Sequence, residues 1–133
     1  MPKSTNYGEQ PGLEVAIGPV VQQPVPSGVH GLAGTIAASG STVSNLLFAD
    51  GYKALAVGAT STQNGQISVQ RYLDDAGQVA QGAPVTSPLT ANTPGVVNIT
   101  DGQPFSAYKV TITNSSGSTA ATLSNVAILQ QAQ

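Results

Sequence analysis

The chain is short of charge. Asp, Glu, Lys and Arg make up 8% of its 133 residues, against about a quarter in typical soluble domains. Its basic residues, Lys3, Lys53, Arg71 and Lys109, are scattered, and the formal net charge is -2. That pattern offers no nucleic-acid footprint. There is no cysteine, which excludes disulfides and thiolate metal sites. With one histidine, His30, the common zinc ligand sets are excluded as well. A Ser-His-Asp triad would have to use His30, and no Gly-x-Ser-x-Gly elbow accompanies it. His30 is therefore expected to be a surface or arm residue. No apolar run is long enough to span a bilayer, and MPKSTNYGEQPG lacks the apolar centre of a secretory signal. We expect synthesis in the cytoplasm and no membrane partner.

The carboxylates are few: Glu9, Glu14, Asp50, Asp74, Asp75 and Asp101. Glycoside hydrolysis needs two of them facing each other across a cleft. Asp50, Asp74, Asp75 and Asp101 instead sit beside Gly or Ala in apparent turns, where aspartate bonds its own backbone. Asp74-Asp75 would suit calcium, but no Asp-x-Asp-x-Asp-Gly loop surrounds them. Tryptophan is absent, and Tyr52, Tyr72 and Tyr108 fall within strand-like runs, so core or subunit packing is their expected use. No catalytic, cofactor or metal residue is expected.

What is present is β-pattern. Ala, Gly, Ser, Thr, Asn and Gln occupy the places that Lys and Glu usually take. The stretch Gly51–Leu73 organises the rest. Lys53, Leu55, Val57 and Ala59 alternate with Tyr52, Ala54, Ala56 and Gly58, and Ile67, Val69, Arg71 and Leu73 alternate with Gln66, Ser68, Gln70 and Tyr72. Such period-2 alternation marks half-buried strands. Between them Asn64-Gly65 tolerates positive φ, so a long antiparallel hairpin is expected. Further strands are expected at Gly31–Ala38, Thr42–Phe48, Val79–Val85, Gly95–Thr100, Ala107–Asn114 and Thr119–Leu129. Thr86–Pro94 reads as a loop. In Ala107–Asn114, Tyr108, Val110 and Ile112 should face in. No segment has a sustained helical period. About eight short strands with regular turn signals predict an all-β fold. The expected form is an antiparallel β-sandwich, jelly-roll-like.

Residues 1–30 differ from the expected sandwich domain, 31–133. They hold Pro2, Pro11, Pro19, Pro24 and Pro26, and proline favours extended backbone over a central strand. Leu13, Val15 and Ile17 alternate with Glu14 and Ala16, and Val20, Val21 and Val25 follow. The segment reads either as a leader with one edge strand or as an arm that docks on a neighbouring subunit. In the docking reading Leu13, Val15, Ile17, Val20, Val21 and Val25 are the partner-binding residues, and the domain from Gly31 folds without them.

The runs GYKALAVGATSTQNGQISVQRYLDDAGQVAQGAPVT and TDGQPFSAYKVTITNSSGSTAATLSNVAIL resemble small structural proteins of tailed-bacteriophage virions, capsid cement or decoration proteins among them. The resemblance covers about Gly31–Leu129 and rests on strand, Asp-Gly turn and Thr/Asn-rich faces, without a catalytic motif. It implies a non-enzymatic protein that binds the major capsid protein, stabilises the shell, forms a homotrimer and resides in the virion after assembly in the host cytoplasm. The low charge points the same way, since a free small domain normally uses charge for solubility. A carbohydrate- or receptor-binding sandwich of a fibre or tail is the alternative.

Overall fold

Inward-facing stripes generate the core. In the computed structural model, which describes residues 22–132, Leu55, Val57 and Ala59 are buried while Ala56, Gly58 and Thr60 between them are half-buried. Ile67 and Val69 do the same on the next run, and Tyr108, Val110 and Ile112 on a third, each of these five fully buried. A strand that places alternate side chains on opposite faces can present such a stripe to only one layer. Two layers must therefore meet, and they do.

The elements in chain order are β1 (Gln22–Pro24), α1 (Ser27–His30), β2 (Thr35–Ile36), β3 (Ser41–Val43), β4 (Leu47–Phe48), β5 (Ala54–Ser61), β6 (Gly65–Tyr72), β7 (Val85–Leu89), β8 (Gly95–Ile99), β9 (Ala107–Asn114) and β10 (Ala121–Gln131). They form two antiparallel five-stranded sheets. The first runs β8-β5-β10-β1, with β2 beside β1 along β10; the second runs β7-β6-β9-β3, with β4 beside β3 along β9. If β1/β2 and β3/β4 each count as one interrupted strand, the first such strand pairs with the last, the second with the next to last, and so on inward to β6 with β7. That is one long hairpin rolled into a sandwich, the jelly roll. The expected all-β sandwich is the observed fold. No helix among the described residues is long and apolar enough to cross a membrane.

The rolled topology corrects the expected hairpin. β5 and β6 have nearly the anticipated bounds, but they do not pair with each other. Val57 lies opposite Val97 and Ile128 in the first sheet. Val69 lies opposite Val110 and Val85 in the second. The short link 62–64 carries the chain across the core from one sheet to the other. Alternation reveals which face of a strand is buried, not which strand lies beside it. Nor do Asn64 and Gly65 take positive φ. Gly65 is needed for space: a Cβ there would lie 1.9 Å from the Thr113 carbonyl oxygen. Asn64 instead accepts the Ala91 amide at its side-chain Oδ1, 2.8 Å away.

Other expectations shift: Gly31–Ala38 holds only the two-residue β2, and Thr42–Phe48 is divided between β3 and β4. Val79–Val85 is not a strand, and the supposed loop Thr86–Pro94 contains most of β7. β7 is an edge strand paired only with β6, so Pro88, opposite Gln66, costs no ladder bond to a second neighbour. The sharp turn Ala49–Tyr52 has positive φ at Asp50 (51°) and Gly51 (87°), as a type I′ turn requires, yet it joins strands of different sheets. Finally, β10 contains an irregularity between Ser124 and Ala127, with Asn125 at φ 53°. Leu123 and Ile128 are both buried. Strict alternation over that odd spacing would have turned Ile128 outward, and the bulge restores it.

Residue 30 is not a structural boundary. β1 pairs with the end of β10, Gln22 opposite Gln131 and Pro24 opposite Leu129. Single-turn α1 follows, closed by Gly31 at φ 68°. Residues 22–30 thus belong to the sandwich, because β10 has an edge that β1 satisfies.

Two glycine substitutions separate close approach from mere flexibility. Gly65→Ala should severely destabilise the protein, because the added carbon meets rigid backbone. Gly58→Ala should be tolerated, since its nearest neighbours would lie at 3.5 and 3.6 Å, ordinary contact. For comparison, Ile112→Ala should cost on the order of 2–5 kcal/mol. Urea denaturation of the variants checks this; equal stability of the two glycine variants would contradict the Gly65–Thr113 approach.

Candidate interaction surfaces

Four of the polar side chains that the fold buries sit where inward stripes end. Two residues beyond Ala59, Val69, Ile112 and Ile128 come Ser61, Arg71, Asn114 and Gln130, all buried. Each continues the inward register, so each must find partners. Asn114 Nδ2 donates to the carbonyls of Thr119 at 2.8 Å, Ala37 at 3.2 Å and Ile36 at 3.3 Å. That ties the β9–β10 loop to β2. Tyr108 donates its hydroxyl to Gln130 Oε1 at 2.5 Å, and Gln130 Nε2 donates to Gln23 Oε1 at 3.3 Å. This relay runs from the second sheet through β10 to β1. Burial, with a contribution from the Asp50 charge, pushes the Tyr108 hydroxyl far up from its ordinary value, so it stays a donor.

Arg71 closes the core with charge. Its Nη1 and Nη2 each donate to one Asp101 carboxylate oxygen, both at 2.8 Å. Phe105 covers the guanidinium, whose Cζ is 5.6 Å from the ring centroid, and meets Tyr108 edge-on. A bidentate Arg–carboxylate pair fixes geometry as well as charge, so the β8–β9 loop is pinned onto β6. The pairing holds the Asp101 carboxyl below its ordinary value, with the Gln103 amide adding to the effect. Asp74 is also held low, chiefly by the Val79 amide and with help from Gln78. Asp74 and Asp101 accept nearby amides, the turn role expected of them, while Asp101 also takes Arg71 from β6. Asp75 accepts the Ser106 hydroxyl.

His30 corrects an expectation. It is buried, not a surface group. Its Nδ1 accepts the Leu32 amide at 3.0 Å and its carbonyl accepts the Asn45 amide at 2.8 Å. Asn45 Nδ2 closes the contact by donating to the Val29 carbonyl. Burial lowers the His30 pKa, which fits an imidazole used as an acceptor. Sequence reading missed this because α1, one turn long, has no periodic signal.

Of the expected partner-binding residues, Leu13, Val15, Ile17, Val20 and Val21 lie outside the described residues. Val25 is described, and it faces its own domain. It packs half-buried against the core, and its amide donates to the Ile128 carbonyl at 2.9 Å. It is corrected from a docking residue to part of the sandwich.

The surface has three noteworthy areas. An apolar groove of about 270 Å³ opens where β1 and α1 face β4, walled by Pro24, Pro26, Val29, Leu46 and Phe48. Gln23 and Gln130, the end of the buried relay, also line it. Beside it, sharing Phe48 and Asp50, is a more polar depression containing Asp75 and Ser106. The third area is the pair of outer sheet faces. Ala56, Gly58, Val96, Asn98, Ala127 and Leu129 make the first face, and Thr111, Ser68, Thr86 and Val43 form one row across the second. Among the described charged residues only Lys109 occupies an outward strand position. Among the described residues no three His, Cys, Asp or Glu side chains cluster as a metal site would require.

Compared with protein-family models and with curated protein sequences, the chain matches none. Function must therefore be argued from these surfaces.

The Arg71–Asp101 pair yields a pH test. A carboxylate whose folded pKa is depressed adds stability above its unfolded value of 3.8 and loses it as pH falls through the folded value. Asp101→Asn should destabilise by about 1–2 kcal/mol near neutrality, a charge-assisted bond discounted for the exposure of Asp101. The stability gap between wild type and variant should narrow below about pH 4. A gap independent of pH in urea titrations would show that the pair does not hold the loop.

Proposed function

We propose that this protein is a non-enzymatic structural subunit of a bacteriophage virion, of the capsid cement or decoration type, which binds the shell built from the major capsid protein and stiffens it. The observation that carries the reading is a jelly roll whose outer sheet faces bear, among the described residues, a single charged side chain, Lys109. Such faces suit broad, mostly apolar and hydroxyl contact with other subunits better than free existence in solution. Gln130 and the β10 edge fasten β1, so the segment that precedes Gln22 leaves from a fixed root. A grip needs that anchoring if pull on an arm is to reach the body.

The test is binding to shells that lack the protein. Purified protein should attach to them and raise their resistance to heat. Attachment should change little between low and moderate salt, because screening acts on charge pairs that this surface scarcely has. Failure to bind shells, together with binding to free sugars on a glycan array, would replace this reading with the carbohydrate-recognition one. Loss of attachment at moderate salt would require an electrostatic interface instead.

A further inference from the structure

Two sheets have four lateral edges, and three of these are guarded. β7 carries Pro88. β1 is three residues long and ends in Pro24, with β2 beside it contributing only two residues. The β3/β4 edge is broken between Val43 and Leu47. Prolines, brevity and interruption are the devices that keep sheet edges from recruiting another strand. β8 has none of them. Gly95–Ile99 pairs with β5 through all five residues and with no other described strand. It contains neither proline nor charge. Val97 and Ile99 are buried, while Val96 is 48% exposed.

We propose that the β8 edge is the docking site for the Leu13–Ile17 segment of a neighbouring copy of this chain, which adds there as a further strand of the first sheet. This deepens the reading of residues before Gln22 as a grip, and rests on it. The segment matches its acceptor in kind: five residues, alternating, with Leu13, Val15 and Ile17 on one side and Glu14 and Ala16 on the other. Backbone bonds along the edge would supply affinity, and the apolar stripe would extend the row of Val97 and Ile99.

Reach decides between the chain's own segment and a neighbour's. β1 and β8 occupy opposite ends of the strand order β8-β5-β10-β1. A strand added outside β8 lies four interstrand spacings from β1, about 19 Å at ~4.8 Å each. The five peptide steps from Ile17 to Gln22 span at most about 18 Å when straight, and they would also have to climb over a sheet face. A neighbouring copy placed edge to edge needs no such stretch. Donor and acceptor lie on opposite edges, so the association is head-to-tail and closes into a ring when the rotation between copies permits.

The experiment uses the full chain and a variant carrying Leu13→Asp, Val15→Asp and Ile17→Asp. The oligomeric mass of each is measured, along with hydrogen exchange at the amides of β8, over a dilution series. Circular dichroism verifies that the variant remains folded. We expect the wild type to be oligomeric, with β8 edge amides protected and that protection fading on dilution. The variant should be monomeric with those amides exchanging at least tenfold faster. If the variant dissociates while β8 exchange is unchanged, the segment grips elsewhere: the edge assignment falls and the arm reading survives. Protection that is independent of concentration in a monomer would assign the segment to its own chain and overturn the proposal. A wild type with β8 amides unprotected at every concentration would overturn it too.

Discussion

The structure depends on contact between two opposed apolar faces. Val57, Val97 and Ile128 form a row on one, and Val69 and Val110 a row on the other. Each strand gains by hiding one side only, so a single sheet would leave its stripe in water. Rolling the chain gives every stripe a counterpart. It also sets the long-range order: two inner strands, β9 and β10, come late in the chain and pair with β5 and β6 from the middle and β1 to β4 from the start. With so few charges and no cysteine, hydrophobic contact and backbone pairing carry the stability, and the pair of buried Arg71 with exposed Asp101 is the one ion pair among the described residues.

Where the rolled layers end, polar groups must face inward, and the fold meets this by giving each a partner. Asn114 gathers three carbonyls, Tyr108 and Gln130 link both sheets to β1, and Arg71 takes a loop carboxylate. An unsatisfied buried group would cost more than each bond contributes. These contacts therefore act as closures that specify loop position. One of them reaches Gln23, which couples the beginning of the described chain to the centre of the sandwich.

Much of this was legible in the sequence, for physical reasons. β6, β8 and β9 are legible to within a residue, and β5 to within two, because period-2 alternation is a local signal. The sandwich followed from counting such stripes. Pairing was not legible: β5 and β6 looked like hairpin arms because they are neighbours in sequence, and alternation is silent about partners. β7 was hidden by Pro88, which an edge tolerates and a central strand would not. His30 was misplaced because one turn of α1 leaves no pattern. The buried polar closures were legible in principle, since Arg71, Asn114 and Gln130 each extend an inward register, but only a bulge at Asn125 brings Gln130 into it. The surfaces were legible as composition, a scarcity of charge, and not as the location of an edge at β8 that no described strand covers.

The rolled path of the chain places the first and last described strands of each sheet, and with them the anchored root and the β8 edge that no described strand covers. It is tested most directly by nuclear magnetic resonance of the full chain, through short proton–proton contacts between strand backbones. The account predicts such contacts from β5 to β8 and β10, and from β6 to β7 and β9, with none between the backbones of β5 and β6. A ladder of contacts joining Ala54–Ser61 directly to Gly65–Tyr72 would contradict it, and would restore a simple hairpin in place of the roll.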